Sequence, residues 1–194
     1  MESQRRLATL AAALLAFAAC SDDAPPRREA SAPSALASAE TNAVLTSERF
    51  RFRVHDYNWE IGGSTVYDLE APNHFRTIYP EDRRVDGVIH TDWKRIEVEL
   101  PAERITEFRR LLVQTRFAQL QESYIDESIE DGAITTFYLL LSQGEQEVYC
   151  SNEYPDATMR AMSWLRSQAA RLDRSAAEPH EPPPGQGWNR AEEH

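Results

Sequence analysis

The alternation of hydrophobic and polar residues predicts strands in the first half of the globular region. Phe50, Phe52 and Val54 alternate with arginines, and a period of two indicates a half-buried strand. After His55 the apolar positions shift by one residue, which predicts a bulge or a bend at that point. The shifted positions are Tyr57, Trp59 and Ile61. Further strands are expected at 64–69, 74–79 and 88–100, with a charged loop over 80–87.

Helical spacing of apolar residues appears twice in the second half. It predicts an amphipathic helix over 101–118 and a last helix that starts at Pro155. Between them, 133–141 and 145–150 read as a hairpin turned by Gln143-Gly144. The predicted fold class is α+β, a mostly antiparallel sheet with two helices packed on one face. The expected order is strands, helix, two strands, helix.

The amino terminus has the composition of an export signal. Arg5 and Arg6 precede an apolar run over 7–19, which is shorter than the roughly 20 residues of a membrane-spanning helix. Residues 1–19 are therefore interpreted as a signal peptide. An ordinary secretory signal, cut at a site of small residues, is one reading.

The last residues of this segment favour a second reading. Phe17-Ala18-Ala19-Cys20 resembles the lipobox of bacterial lipoproteins, with Phe17 in the place where leucine is usual. The resemblance implies cleavage before Cys20 and acylation of its thiol, so that the mature chain is held to the lipid bilayer. Ser21 after the cysteine implies sorting to the outer membrane. The expected location is the bacterial cell envelope, with the domain lipid-anchored and facing the periplasm.

Composition divides the rest of the chain. Residues 20–46 are rich in Ala, Ser and Pro and read as a lipidated cysteine followed by a disordered tether, and 176–194 read as a disordered tail. A single α+β domain is expected over 47–175. Removal of residues 1–19 takes away two positive charges and one negative charge, so the net charge changes from −11 to −12. Such an acidic chain is not expected to bind nucleic acid.

A row of arginines and a group of aromatics form the candidate binding surface. Arg49, Arg51 and Arg53 are expected on one face of a strand, where they pair with Asp68 and Glu70 or with Glu97 and Glu99. If they are unpaired, they suit an anionic ligand or an acidic partner. Tyr57 and Trp59, with Tyr67 and Tyr79, serve either recognition or cross-strand packing.

Weaker candidates are an acidic stretch and a cysteine. Asp126, Glu127, Glu130 and Asp131 are possible ligands of a hard cation such as calcium, but the EF-hand order is absent, which favours a solvated loop. Cys150 is the only cysteine besides Cys20, so an intramolecular disulfide framework is not expected. Its position on a strand predicts a buried thiol rather than a nucleophile, with pairing to another chain as the further alternative.

The order of elements over 95–170 carries a further resemblance. A helix, Asp131-Gly132, a hairpin and Ser151-Asn152-Glu153-Tyr154-Pro155 before a closing helix resemble small uncharacterised bacterial domains. More loosely, they are similar to emfourin-type inhibitors of metalloproteases. The resemblance implies binding or inhibition. The predicted function is a non-enzymatic envelope lipoprotein that binds another protein, without a cofactor. A structural role in envelope assembly and a small-ligand or cation-binding module are the alternatives.

Overall fold

The computed structural model describes residues 35–58, 63–129 and 133–183. Three α-helices lie in this part of the chain: α1 (Ala35–Thr46), α2 (Ala102–Gln114) and α3 (Asp156–Ala169). The strands are β1 (Arg51–Asn58), β2 (Gly63–Glu70), β3 (His74–Val85), β4 (Val88–Glu99), β5 (Ser123–Ile125), β6 (Ile134–Leu141), β7 (Gly144–Ser151) and β8 (Glu178–His180). Short 3₁₀ turns cover Phe117–Gln119 and Arg174–Ala176.

The strands form one sheet in the order β5-β7-β6-β1-β2-β3-β4-β8. Neighbours are antiparallel, except for the short edge strand β5, which runs parallel to β7. The expected class, an α+β protein with a mostly antiparallel sheet, is therefore confirmed. Within the described residues, no helix is long and apolar enough to cross a membrane.

One face of the sheet forms the main core together with the helices. Phe52 of β1 and Leu139 of β6 are opposite each other and almost fully buried. The ring of Phe52 meets those of Phe108 and Phe117 edge-on at 5.0 and 5.1 Å. From α3, Leu165 joins the same cluster. The 3.6-residue periodicity of α2 and α3 and the two-residue periodicity of the strands thus converge on this face.

The N-terminal part of the fold differs from the predicted boundaries. Residues 35–46, expected in the disordered tether, form α1, and Val44 of this helix is buried in the main core. Composition did not reveal this helix because three large apolar residues in an Ala-rich segment, Leu36, Val44 and Leu45, give no sustained helical periodicity. Residues 1–34 lie outside the described part.

The C-terminal boundary differs for a similar reason. Glu178–His180, expected in the disordered tail, pairs as β8 with Trp93–Arg95 of β4. A strand of three residues with Pro179 at its centre has no recognisable alternation. The order of elements consequently has a helix before the first strand and a strand after the last helix.

The predicted bulge after His55 is wrong. The β1–β2 ladder is continuous from Arg51↔Glu70 to Asn58↔Gly63. Polarity along β1 inverts because Asp56 lies on the helix-covered face, where its Oδ2 accepts a hydrogen bond of 2.7 Å from Arg166 Nη2 of α3. Tyr57 therefore lies on the same face as the arginines, and the register does not slip.

Candidate functional site

Three arginines surround one carboxylate on the sheet face opposite the main core. Arg53 of β1 and Arg76 of β3 flank Asp68 of β2 in directly opposed positions. Arg51 lies on the same face, two residues from Arg53. The alternation of strand side chains therefore brings all four groups together. The name Asp68 cluster is used below for Arg51, Arg53, Asp68 and Arg76.

Asp68 is nearly enclosed by its partners. Its side chain is 4% exposed, and it accepts hydrogen bonds from Arg51 Nε at 2.9 Å and Arg51 Nη2 at 2.8 Å. Arg53 Nη2 donates to the same carboxylate at 2.8 Å, and so does Arg76. The sequence offered two sets of partners for the arginines, Asp68 with Glu70 or Glu97 with Glu99. Arg51 and Arg53 pair with Asp68. These charge-assisted bonds join side chains of three neighbouring strands.

Arg49 stands apart from the Asp68 cluster. It precedes β1, is exposed, and lines a cleft of about 500 Å³ together with Arg51, Glu48 and Glu70. Phe50, Ala71 and Leu140 contribute the apolar part of the lining. The cleft therefore combines guanidinium groups with carboxylates, and it is less positive than the arginine row alone indicates.

The predicted aromatic group does not form one surface. Tyr57 is half-buried on the same face as Arg53, and Trp59 lies outside the described residues. Tyr67 faces the helices and is 8% exposed. Burial raises the pKa of Tyr67, and its hydroxyl bonds Arg166. The guanidinium of Arg174 lies over the ring of Tyr79, with its Cζ 5.1 Å from the ring centre.

Asp56 belongs to a polar group that sequence reasoning missed. Thr135 Oγ1 donates to its Oδ1 at 3.2 Å, and Thr135 also lies 3.2 Å from the Tyr154 hydroxyl. With Arg166 on the other carboxylate oxygen, this group joins β1, β6 and α3. The interruption of the apolar pattern at Asp56 was the available signal, and it was interpreted as a change of register.

The acidic stretch is an exposed loop in the described residues. Asp126 Oδ1 accepts hydrogen bonds from the Ser128 amide at 3.0 Å and from the Ser128 hydroxyl. The Ser128 hydroxyl and amide bonds lower the pKa of Asp126. Glu127 is exposed, and Glu130 and Asp131 lie outside the described part. No group of three or more His, Cys, Asp or Glu side chains suited to a metal ion occurs in the residues that the structure describes.

Cys150 is completely buried in the main core. Burial raises the pKa of its thiol to about 11, against a smaller lowering by a hydrogen bond with Thr158. A thiol with this pKa is protonated at neutral pH and is a poor nucleophile. Cys20, the proposed lipidation site, lies outside the described residues.

Sequence reasoning also missed an exposed hairpin arm. Beyond Ile78, β3 has left β2, and β3 and β4 continue to pair with each other as far as Val85↔Val88. Ten consecutive residues, 81–90, are exposed. Asp86 and Gly87, with φ of 51° and 82°, form the two-residue turn, as expected for tight hairpins. The charged residues over 80–87 were interpreted as a loop because both faces of the arm meet solvent.

The end of the arm carries three exposed apolar side chains. Val85, Val88 and Ile89 are 41%, 57% and 60% exposed. These three residues define the arm tip. The Val85–Val88 pair closes the ladder, and Ile89 lies opposite Arg84. Exposed β-branched side chains at the end of a protruding hairpin are typical of a contact surface rather than of a folding core.

The chain matches no protein-family model and no curated protein. The geometry of its own residues therefore carries the functional argument.

Proposed function

We propose that this chain is an exported bacterial lipoprotein whose globular domain binds another protein through the arm tip. The observation that carries the proposal is the exposure of three aliphatic side chains at the end of a hairpin that leaves the body of the sheet. Full burial of a Val or Ile side chain contributes about 1.5–3 kcal/mol. Two or three such residues in a partner's pocket therefore suffice to direct specific binding.

The arm is suited to recognition because its shape does not depend on the partner. Its strands pair from His74↔Glu99 to Val85↔Val88, and side-chain contacts join them on both faces. Thr91 donates to Asp82 at 2.7 Å, and Arg83 bridges Asp92 at 2.8 Å. A pre-formed hairpin loses little conformational entropy on binding, which leaves more of the contact energy for affinity.

Capture from envelope extracts tests the role of the arm tip. The bait is the chain from residue 20 onward with Cys20→Ser, compared with the same chain carrying Val88→Ser and Ile89→Ser. The proposal predicts a partner that binds the first bait and is lost from the second. Met159→Ser is the matched control, because Met159 is 50% exposed on α3, away from the arm. Equal capture by the two baits contradicts the proposal.

Inhibition of a protease is one form that this binding can take. Residues 83–85 and 88–90 are extended, the conformation in which proteases bind peptide segments, whereas the turn itself is left-handed at Asp86 and Gly87. Contact along one strand of the arm is therefore favoured over insertion of the turn. Inhibition that survives the Val88→Ser and Ile89→Ser changes would contradict this mode.

The lipid anchor rests on the N-terminal sequence alone. An acylated Cys20 holds the domain at the periplasmic surface of the outer membrane, and 14 residues separate it from the first residue of α1. Export of the full chain with radiolabelled palmitate tests this step. The wild-type chain incorporates label and Cys20→Ser does not. Label retained by Cys20→Ser, or absent from both chains, overturns the lipoprotein assignment.

The cleft beside Arg49 supports a second candidate function, the binding of a small ligand. Its guanidinium and carboxylate groups around an apolar lining suit a small zwitterion better than a simple anion. A thermal shift with short peptides or free amino acids tests it, because ligand at 100 times its dissociation constant adds ~2.7 kcal/mol of stability. Arg49→Ala should abolish the shift, and an unchanged shift would place the ligand elsewhere.

A further inference from the structure

A second apolar patch is exposed at the opposite edge of the sheet. Ile125 and Ile129 are each 49% exposed, and they flank the acidic residues Asp126 and Glu127. Glu122 is also exposed one residue before β5. Glu122 and Glu127 form no ion pair with another described residue. The name acidic edge is used below for residues 122–129.

The arm tip and the acidic edge together contain most of the exposed large apolar side chains among the described residues. Five of these seven side chains belong to the two patches, and only Leu45 and Met159 lie elsewhere. Patches of this kind on a small domain usually mark contact surfaces. Two patches of similar apolar character in one chain raise the question of whether they fit each other.

Within the described residues, each patch has a charged side chain that forms no ion pair, and these side chains are opposite in sign. The acidic edge carries three carboxylates and no basic residue, whereas residues 83–90 carry Arg83, Arg84 and His90 with one carboxylate, Asp86. Arg83 is already paired with Asp92 at 2.8 Å. Arg84 forms no ion pair within the described residues, and it lies opposite Ile89. Its guanidinium is therefore placed to pair with a carboxylate of another molecule while Ile89 packs against an isoleucine of that molecule. Glu81 and Asp82 lie further from the turn, on the side of the body.

One copy of the chain cannot join its own two patches. The acidic edge contains β5, the first strand of the sheet, and the arm extends from β3 and β4 beyond four intervening strands. At about 4.8 Å per strand the separation is roughly 24 Å, more than two side chains can span. A second copy can present its acidic edge to the arm tip directly.

We infer that the arm tip docks on the acidic edge of a second copy of this chain. This inference rests on the proposed function of the arm and names its partner. Ile89 packs against Ile125 and Ile129 of the partner copy, and Arg84, on the same face of the arm as Ile89, pairs with its Glu127. The contact joins two different surfaces, so it builds either a closed reciprocal dimer or a row of copies along a membrane. Lipid anchors in one plane would raise the local concentration that such a contact needs.

Disulfide trapping between two tagged copies tests the contact. Both copies are the chain from residue 20 onward with Cys20→Ser, and Cys150 does not interfere because it is buried. One copy carries Ile89→Cys and the other Ile129→Cys. After mild oxidation we expect the two-tag product at several times the yield of the control pair, Ile89→Cys with Met159→Cys. Equal yields overturn the inference. A dominant product of two Ile89→Cys copies also overturns it, because that product indicates contact between tips.

A charge exchange provides a second readout with unlinked chains. Arg84→Glu should weaken association about twofold to fivefold in sedimentation experiments, as expected for an exposed ion pair. Mixing Arg84→Glu with a copy that carries Glu127→Arg should restore it. If the Glu127→Arg copy does not restore association, Glu127 is not the partner of Arg84. If trapping fails while the Val88→Ser and Ile89→Ser bait still loses an envelope protein, the proposed function stands and only the second copy is excluded.

Discussion

At the scale of single residues, Asp68 has the largest structural consequence. Its carboxylate is the common acceptor of guanidinium groups from two neighbouring strands, and its side chain is 4% exposed on the face opposite the main core. The desolvation of so many charges is costly, and it is offset only while the carboxylate is present. The Asp68 cluster therefore joins β1, β2 and β3 across the sheet, and Asp68 balances part of the positive charge of the arginine row.

Replacement of Asp68 by asparagine should destabilise the domain by roughly 3–5 kcal/mol, because three arginines then share no anion. Urea unfolding of the two chains measures this change. Glu70→Gln is the control: Glu70 is exposed, its carboxylate is 3.9 Å from Arg51 Nε, and its loss should cost less than about 1 kcal/mol. A similar effect of the two substitutions would show that Asp68 is not the organising group.

His55 couples the same face to pH. It lies two residues from Arg53, with its ring edge-on to Tyr138 at 5.9 Å. Burial lowers its pKa from 6.5 to about 4, and the charge of Asp68 opposes part of this shift. Because the folded state disfavours the charged ring, protonation of His55 destabilises the fold. The contribution of neutral His55 to the free energy of unfolding is therefore complete above pH 6.5 and is lost as the pH falls towards 4.

The substitution His55→Gln should flatten this part of the pH profile. Between pH 6.5 and 4 we expect the wild-type chain to lose about 1–3 kcal/mol more free energy of unfolding than the variant does. Urea titrations at several pH values provide the comparison, and the shared carboxylates cancel in the difference. Parallel profiles for the two chains would mean that His55 does not titrate between these limits.

At the scale of elements, one arginine of α2 links the end of α1 to the body, in addition to the buried side chain of Val44. Arg109 Nη1 donates to the carbonyls of Leu45 and Ser47 at 3.1 and 2.9 Å, and its guanidinium lies 4.3 Å from the Phe50 ring centre. A cation at the C-terminal end of a helix also stabilises its dipole. Burial lowers the pKa of Arg109.

Arg109→Ala should release α1 without unfolding the sheet. Amide hydrogens near the end of α1, such as that of Ser47, which bonds the Ala43 carbonyl at 3.0 Å, should then exchange faster. Those of β1 and β6 should keep their protection. Hydrogen exchange read by mass spectrometry measures both. Arg110→Ala is the matched control, because Arg110 is the exposed neighbour on the same helix. Unchanged exchange in Arg109→Ala would assign the docking of α1 to Val44 and to the hydrogen bonds between Ser47 and Ser142.

At the scale of the whole molecule, the domain boundaries predicted from composition, 47–175, are too narrow. A chain limited to 47–175 lacks Val44, which is 2% exposed, and lacks β8, which covers the edge of β4 at Trp93–Arg95. An uncovered strand edge also favours association with other chains. The folded unit therefore includes residues that composition assigns to the tether and the tail.

The chain 35–183 should be more stable than 47–175 by at least about 2 kcal/mol, from the burial of Val44 alone. Equilibrium unfolding of both chains tests this expectation. Val44→Ser in the longer chain should reproduce part of the loss, which separates the contribution of α1 from that of β8. Equal stability of the two chains would restore the narrower boundaries.

Local patterns in the sequence were sufficient for the α+β class, the strands around Phe52 and Phe137, and the cores of α2 and α3. Each of these depends on residues close together in the chain, whose periodicity records which face is buried. The burial of Cys150 followed from the same pattern. The export signal and the lipidation of Cys20 remain predictions from sequence.

Tertiary structure decided the features that depend on distant residues. Asp56 interrupts an apolar pattern because Arg166, far along the chain, is its partner, and the sequence alone offered a bulge instead. Choosing Asp68 over Glu97 or Glu99 as the partner of Arg51 and Arg53 required the strand order, which periodicity does not contain. The length of the arm likewise depends on where β2 leaves β3. Periodicity reports burial along one strand, whereas pairing and protrusion are properties of the assembled sheet.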